Sequence, residues 1–210
     1  MKLKLAGSAL ALATAVALLL MGMPTVDARI EENRPAVEKV LTSRSVHIDP
    51  AELVDLINNA NFGLRIFDLR DESEFNLFHI RDAKRIVNGM LRDPVWINKL
   101  PSRTVFVLVS NGEKRAEQAF AILSAWKVPN VYILAGGVNQ WVRLYGDPQK
   151  LVVSPATDCA KAECRQYVFD AALGDRHPAS DPDPEENIGR DYERKVKPLG
   201  RTVRKAGGCG

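Results

Sequence analysis

The stretch "TVFVLVSNGEKRAEQAF", residues 104–120, decides the fold. Its unbroken apolar run, Val105 to Val109, is rich in β-branched and aromatic side chains and reads as a strand buried on both faces. From Glu113 onward the pattern changes. Ala116, Ala119, Phe120, Leu123 and Trp126 recur at helical spacing, so a short loop must join strand to helix. Backbone N–H groups at the start of a helix, together with the positive end of its dipole, form a cradle for an anion, and Arg115 adds a fixed charge. The residue that ends the strand is Ser110, so the place where a nucleophile is expected holds a hydroxyl.

Working outward, "HIDPAELVDLINNANFG" at residues 47–63 predicts a helix: Asp49 as N-cap, Pro50 at the first helical position, Glu52 completing a capping box, and Leu53, Leu56 and Ile57 on the apolar face, with Gly63 as the stop. "LRIFDLR" follows as a strand carrying Asp68 at its C-terminal end. Ile80 and Ile86 suggest a further brief strand, residues 94–100 a weakly signalled helix, "VPNVYILAGG" a last strand and "VNQWVRLYG" a closing helix. Strands alternating with helices imply an α/β fold with a parallel sheet covered by helices on both faces. In such sheets ligands gather beyond the carboxyl ends of the strands, where Ser110 stands.

Composition limits the alternatives. A chain of 210 residues with 46% hydrophobic and 26% charged residues holds one good core plus extensions, and a formal charge of +3 gives no reason to expect a nucleic-acid partner. Lys2 and Lys4 precede an apolar run at residues 5–23, followed by "PTVDA" with Val26 and Ala28 at the positions a signal peptidase reads. Residues 1–28 are therefore expected to be an export signal cleaved after Ala28, placing the rest in the periplasm or outside the cell. The alternative is an uncleaved anchor, since the run approaches the roughly 20 residues that span a bilayer. Either outcome puts the remainder beyond the membrane.

In that compartment thiols tend to be oxidised. Cys159 and Cys164 are expected to pair as a disulfide across a turn, leaving Cys209 over on the "KAGGCG" terminus. No CxxC or CxxCH occurs and His177 has no partner at ligand spacing, so neither a metal site nor a cofactor is expected. Residues 29–46 read as a charged lead-in. Residues 149–210 read as a partly disordered extension: "RHPASDPDPEEN" as extended and unpacked, "CRQYVFDAAL" as a packed helix bearing the cysteine pair, and the basic end as a solvated tail able to touch anionic lipid.

The motif "FDLRDESEFNLFHIRDA" at residues 67–83 resembles the rhodanese signature. Asp68, Arg70, Glu74, Phe75, His79, Ile80 and Ala83 match it, while Phe78 stands where the family has Gly. "VYILAGGVNQW" at residues 131–141 is similar to the family's closing motif, with Gly136, Gly137 and Trp141 in place, and the likeness spans residues 45–148. It implies a rhodanese-like sheet with helices on both faces. In active relatives the central strand ends on a cysteine that carries a persulfide, in a loop closed by an arginine five positions later. Ser110, Asn111, Gly112, Glu113, Lys114 and Arg115 keep that frame without the sulfur, whereas the related phosphatases have one more residue before the arginine and position 116 here is Ala.

A hydroxyl neither attacks a sulfane sulfur nor holds it as a stable intermediate. For Ser110 to act otherwise it needs an oriented base. His79 is the only histidine within the matching motifs, and its plainer reading is structural, as is that of Asp68 and Arg70 as an ion pair and of Trp126 and Trp141 as core. Glu113 is either a solvated side chain or a negative charge that weakens anion binding. The expectation is an exported rhodanese-like module without sulfurtransferase activity, with Ser110 and Arg115 as anion-binding candidates and a protein partner or small sulfur-containing anion as ligand. The alternative is a sulfur-handling protein whose thiol is Cys159 or Cys164.

Overall fold

The computed structural model describes residues 24–59, 63–153 and 163–197. In chain order its elements are helix α1 (Val26–Thr42), strand β1 (His47–Ile48), α2 (Pro50–Ile57), β2 (Leu64–Asp68), α3 (Glu72–Leu77), β3 (Lys84–Arg85), α4 (Asn88–Arg92), α5 (Pro94–Ile97), β4 (Val105–Val109), α6 (Lys114–Ala125), β5 (Val131–Leu134) and α7 (Gly137–Tyr145). A short antiparallel pair follows, β6 (Val152–Val153) with β7 (Tyr167–Val168), and then three 3₁₀ turns. The five strands β1 to β5 form one parallel sheet in the order β1-β5-β4-β2-β3.

The central strand β4 is buried throughout and sorts its side chains between two cores. Val105, Val107 and Val109 join Ile66, α2 and α7 on one face. Phe106 and Leu108 join Phe67, α6 and α1 on the other, where Phe67 stacks on Phe106 with ring centroids 5.4 Å apart. Alternation along a strand covered on both faces leaves no polar side, which is why the run is uniformly apolar.

The lead-in is a helix rather than irregular chain. Thr25 caps α1 by accepting from the Ala28 N–H, Asp27 pairs with Arg92 at 2.7 Å, and Val37, Ile30, Val40 and Leu41 pack into the second core. Ala28, the expected cleavage position, therefore sits in the first turn of this helix. The apolar run at residues 5–23 lies outside the described residues, and among the described residues no helix is long and apolar enough to cross a membrane.

Helix α2 also corrects the expected cap. Asp49 accepts from the Ala51 N–H at 2.8 Å, as a cap should, but Glu52 does not reach back. Its side chain is buried and accepts instead from the backbone N–H groups of Lys195 and Val196, at 2.8 and 2.7 Å. Burial pushes this carboxyl above its ordinary value against the opposing pull of those two N–H groups. The helix ends at Asn58 rather than Gly63.

The described part of the extension beyond β6, residues 163–197, packs on the domain. Ala179, Ser180, Val196 and Tyr167 are buried, the first three almost completely, and Trp141 donates its indole N–H to the Ala179 carbonyl at 2.7 Å. "CRQYVFDAAL" contributes β7 rather than a helix, with Phe169 stacked on Phe78. In the basic segment, Lys195 donates to the carbonyls of Arg44 and His47 and Arg194 pairs with Asp55. Cys159 and Cys209 lie outside the described residues, and with them the expected disulfide.

Candidate functional site

The loop after β4 is built from its own backbone outward. Ser110 and Asn111 are buried, at 0% and 1% exposure. The Ser110 and Asn111 carbonyls accept from the N–H groups of Val138 and Asn139 at the start of α7, at 2.8 and 3.0 Å. This close approach explains the glycine pair. Gly136 and Gly137 both hold positive φ, and a Cβ at Gly137 would collide with the carbonyls of Ser110, Asn111 and Gly112.

Within the loop, the Ser110 hydroxyl donates to the Gly112 carbonyl at 3.0 Å and lies 3.4 Å from Glu163 Oε1. One proton serves only one of these acceptors, and no imidazole is placed to take it. His79 is elsewhere: its Nδ1 is 2.8 Å from the Phe75 carbonyl and its ring stacks on Phe75 at 3.8 Å. Asp68 and Arg70 are buried beneath the site as an ion pair. Arg70 Nε and Nη2 both meet the Asp68 carboxylate, Nη2 at 2.6 Å, and Nη2 also donates to the Phe78 carbonyl at 2.7 Å. The pair ties the end of β2 to the turn that follows α3.

The anion cradle is occupied by the protein itself. The Arg115 N–H donates to Glu163 Oε1 at 3.0 Å, and Asn111 Nδ2 donates both to the Glu163 carbonyl at 3.0 Å and to Glu74 Oε1 at 2.6 Å. The Glu163 side chain is only 14% exposed. Its other oxygen, Oε2, is buried without a hydrogen bond and stands 3.9 Å from Arg115 Nε. Arg115 is held at the rim, its guanidinium 3.7 Å from Asp71 and 3.9 Å from Glu74. A carboxylate here stands where a bound anion would, and it comes from the extension. Sequence reasoning missed Glu163 because nothing local marks it; only the fold brings it to the loop.

Glu113 is neither solvated nor in the cradle. Its carboxylate accepts from Arg44 at 2.7 and 3.0 Å and from the Gly136 N–H at 2.6 Å. Burial pushes this carboxyl up, but those donors outweigh it and hold it below the ordinary value. Beyond it, His47 on β1 is buried with Nε2 3.4 Å from Glu117. Burial first, and the Arg44 charge next, push this imidazole below its usual pKa against the opposing pull of Glu113 and Glu117. Lys114 and Glu113 line an open cleft of about 580 Å³ beside the loop, shared with Glu117, Gln140 and Arg143.

The family model of the rhodanese-like domain matches residues 49–144. No curated protein matches the chain. Among solved structures it is similar to a rhodanese-related protein from Thermoplasma volcanium, at 22% identity over 49% of this chain and 94% of that one, TM-score 0.41. It is likewise similar to a protein from Bacillus halodurans, at 23% identity over 52% and 80%, TM-score 0.42. The third is the rhodanese-like domain of an Anabaena protein, at 21% identity over 54% and 88%, TM-score 0.39. The match to the rhodanese-like domain model spans residues 49–144, with α1 and the extension that supplies Glu163 lying outside its bounds.

Proposed function

We propose that this is an exported rhodanese-like module without sulfurtransferase activity, acting by binding a protein partner or a small sulfur-containing anion. The observation that carries this reading is the pairing of Ser110 with Glu163. The first removes the thiolate that would attack a sulfane sulfur; the second puts a negative charge on the Arg115 N–H at the start of α6, where the donor anion would be held. Either change alone weakens rhodanese chemistry, and together they oppose both binding and attack. A ligand that displaces Glu163 would also release residue 163 from the loop, which makes the loop suited to regulation by an incoming anionic group.

Export rests on the N-terminal sequence. Cleavage after Ala28 removes the Thr25 cap and the Asp27–Arg92 pair, so the mature helix would start at Arg29. An uncleaved chain would instead be held at the membrane by residues 5–23.

One observation favours a second reading. Cys164 follows Glu163 directly, and its carbonyl accepts from Asn139 Nδ2 at 2.8 Å, which brings a tail cysteine to the mouth of the loop. A thiolate there would supply what position 110 lacks. Sulfur transfer from thiosulfate to cyanide separates the two: mature protein is expected to show no turnover. Turnover that disappears on Cys164→Ser would establish the tail-thiol enzyme instead.

A further inference from the structure

Three donors outside the cradle converge although no metal-ligand spacing marks them in the sequence. His47 opens strand β1, Glu113 ends the Ser110 loop, and Glu117 lies one turn into α6. His47 is 2% exposed, and neither ring nitrogen has a hydrogen-bond partner among the described residues. A buried imidazole left in that state is costly. Nε2 points at two carboxylates, 3.4 Å from Glu117 Oε1 and 3.8 Å from Glu113 Oε2, and one donor atom from each of the three residues lies within 4.8 Å of the others.

Donors held about 2.0–2.2 Å from a tetrahedral ion stand roughly 3.4 Å apart, so the His47–Glu117 separation of 3.4 Å already fits, the His47–Glu113 separation of 3.8 Å exceeds it only slightly, and Glu117, whose side chain is 35% exposed, has room to adjust. We infer that His47 Nε2, Glu113 Oε2 and Glu117 Oε1 bind a divalent transition cation of the zinc class. The fourth position opens on the cleft that Glu113 and Glu117 line with Gln140 and Arg143, and takes water or a small anion. One imidazole with two carboxylates suits zinc or its neighbours and disfavours magnesium and calcium, which prefer all-oxygen shells.

Other charges set the strength of the site. Arg44 neutralises one carboxylate through its two bonds to Glu113, and Lys195 Nζ bonds the His47 carbonyl nearby. The remaining charge still attracts a dication, but more weakly than a closed structural site. A bound ion would tie edge strand β1 to the end of the Ser110 loop. The inference stands whether or not the cradle is silent.

The test is calorimetric titration of ZnCl₂ into full-length protein freed of metal with a chelator, its cysteines first blocked with iodoacetamide so that thiolates do not contribute. One equivalent is expected to bind in the micromolar range or tighter, with magnesium giving no heat. Glu117→Gln, at a partly exposed position, should weaken binding by at least about tenfold while leaving the thermal midpoint of the metal-free protein unchanged. His47→Gln should do the same to affinity. The assignment is overturned if zinc shows no saturable binding at millimolar concentration, or if Glu117→Gln binds it as the unaltered protein does.

Discussion

Replacing Arg70 by Met tests whether the buried pair under the loop holds the domain together. Arg70 and Asp68 have side-chain exposures of 0% and 1%. Arg70 gives three side-chain contacts to the Asp68 carboxylate and one to the Phe78 carbonyl. Methionine fills much of the same space but leaves Asp68 as a buried carboxylate whose remaining donor among the described residues is the backbone N–H of residue 70, at 2.9 Å. Removing one partner from a buried pair costs about 3–5 kcal/mol. A domain has only about 5–15 kcal/mol to lose, so the variant should unfold at a much lower urea concentration. Tryptophan fluorescence follows the transition, since Trp141 is fully buried in the first core and Trp96 packs into the second. Asp68→Asn added to Arg70→Met should recover part of the loss by removing the stranded charge. A loss below about 1 kcal/mol, or a double variant whose losses simply add, would refute the buried pair as a structural support.

Two further outcomes concern the docked extension. Glu52 has a folded pKa raised above its ordinary value of 4.5, so its acid form is favoured in the fold; the stability it contributes is full below 4.5 and is lost as pH rises through the raised value. Glu52→Gln, which imitates the acid form and still accepts from Lys195 and Val196, should raise the thermal midpoint at neutral pH, with the gain disappearing below about pH 4.5. His177 has the opposite sign: burial lowers its pKa, its Nδ1 accepts from the Ala179 N–H, and its ring packs edge-on to Phe78 and Phe169. Its stabilisation is present above about pH 6.5 and lost as pH falls through the lowered value, so the hydrogen-exchange protection factors over residues 163–197, corrected for the slower intrinsic exchange at lower pH, should fall on acidification from neutrality, and His177→Leu should flatten that dependence.

How far the sequence disclosed this molecule depends on whether each feature is local. Strand β4 and helix α6 were legible because burial on both faces writes an unbroken apolar run and one-sided packing writes a helical stripe. The glycines at 136 and 137 were legible as a motif, and the loop carbonyls they approach supply the reason. Strand β1 was missed because two residues are too short to show a period. Helix α1 was missed because its surface is mostly charged, with Pro35 inside it, and its few apolar contacts are made to distant elements. Glu52 was misread because Asp49-x-x-Glu52 has the spacing of a capping box, while its real partners are backbone N–H groups near the far end of the chain. Glu163 and the His47, Glu113 and Glu117 cluster follow the same rule: they exist only where separated segments meet.

The most direct measurement of the closed cradle is persulfide formation on a restored nucleophile. With Cys159, Cys164 and Cys209 changed to Ser, Ser110→Cys places a thiol at the end of β4, and attack on thiosulfate would form a protein persulfide and release sulfite, seen as the mass gain of one sulfur atom. With Glu163 in place, little or no gain is expected after brief exposure to thiosulfate. With Glu163→Ala added, the N–H of Arg115 is released to the incoming anion and the gain should appear. Equal, ready persulfide formation with and without Glu163 would contradict the claim that the chain's own carboxylate closes the site.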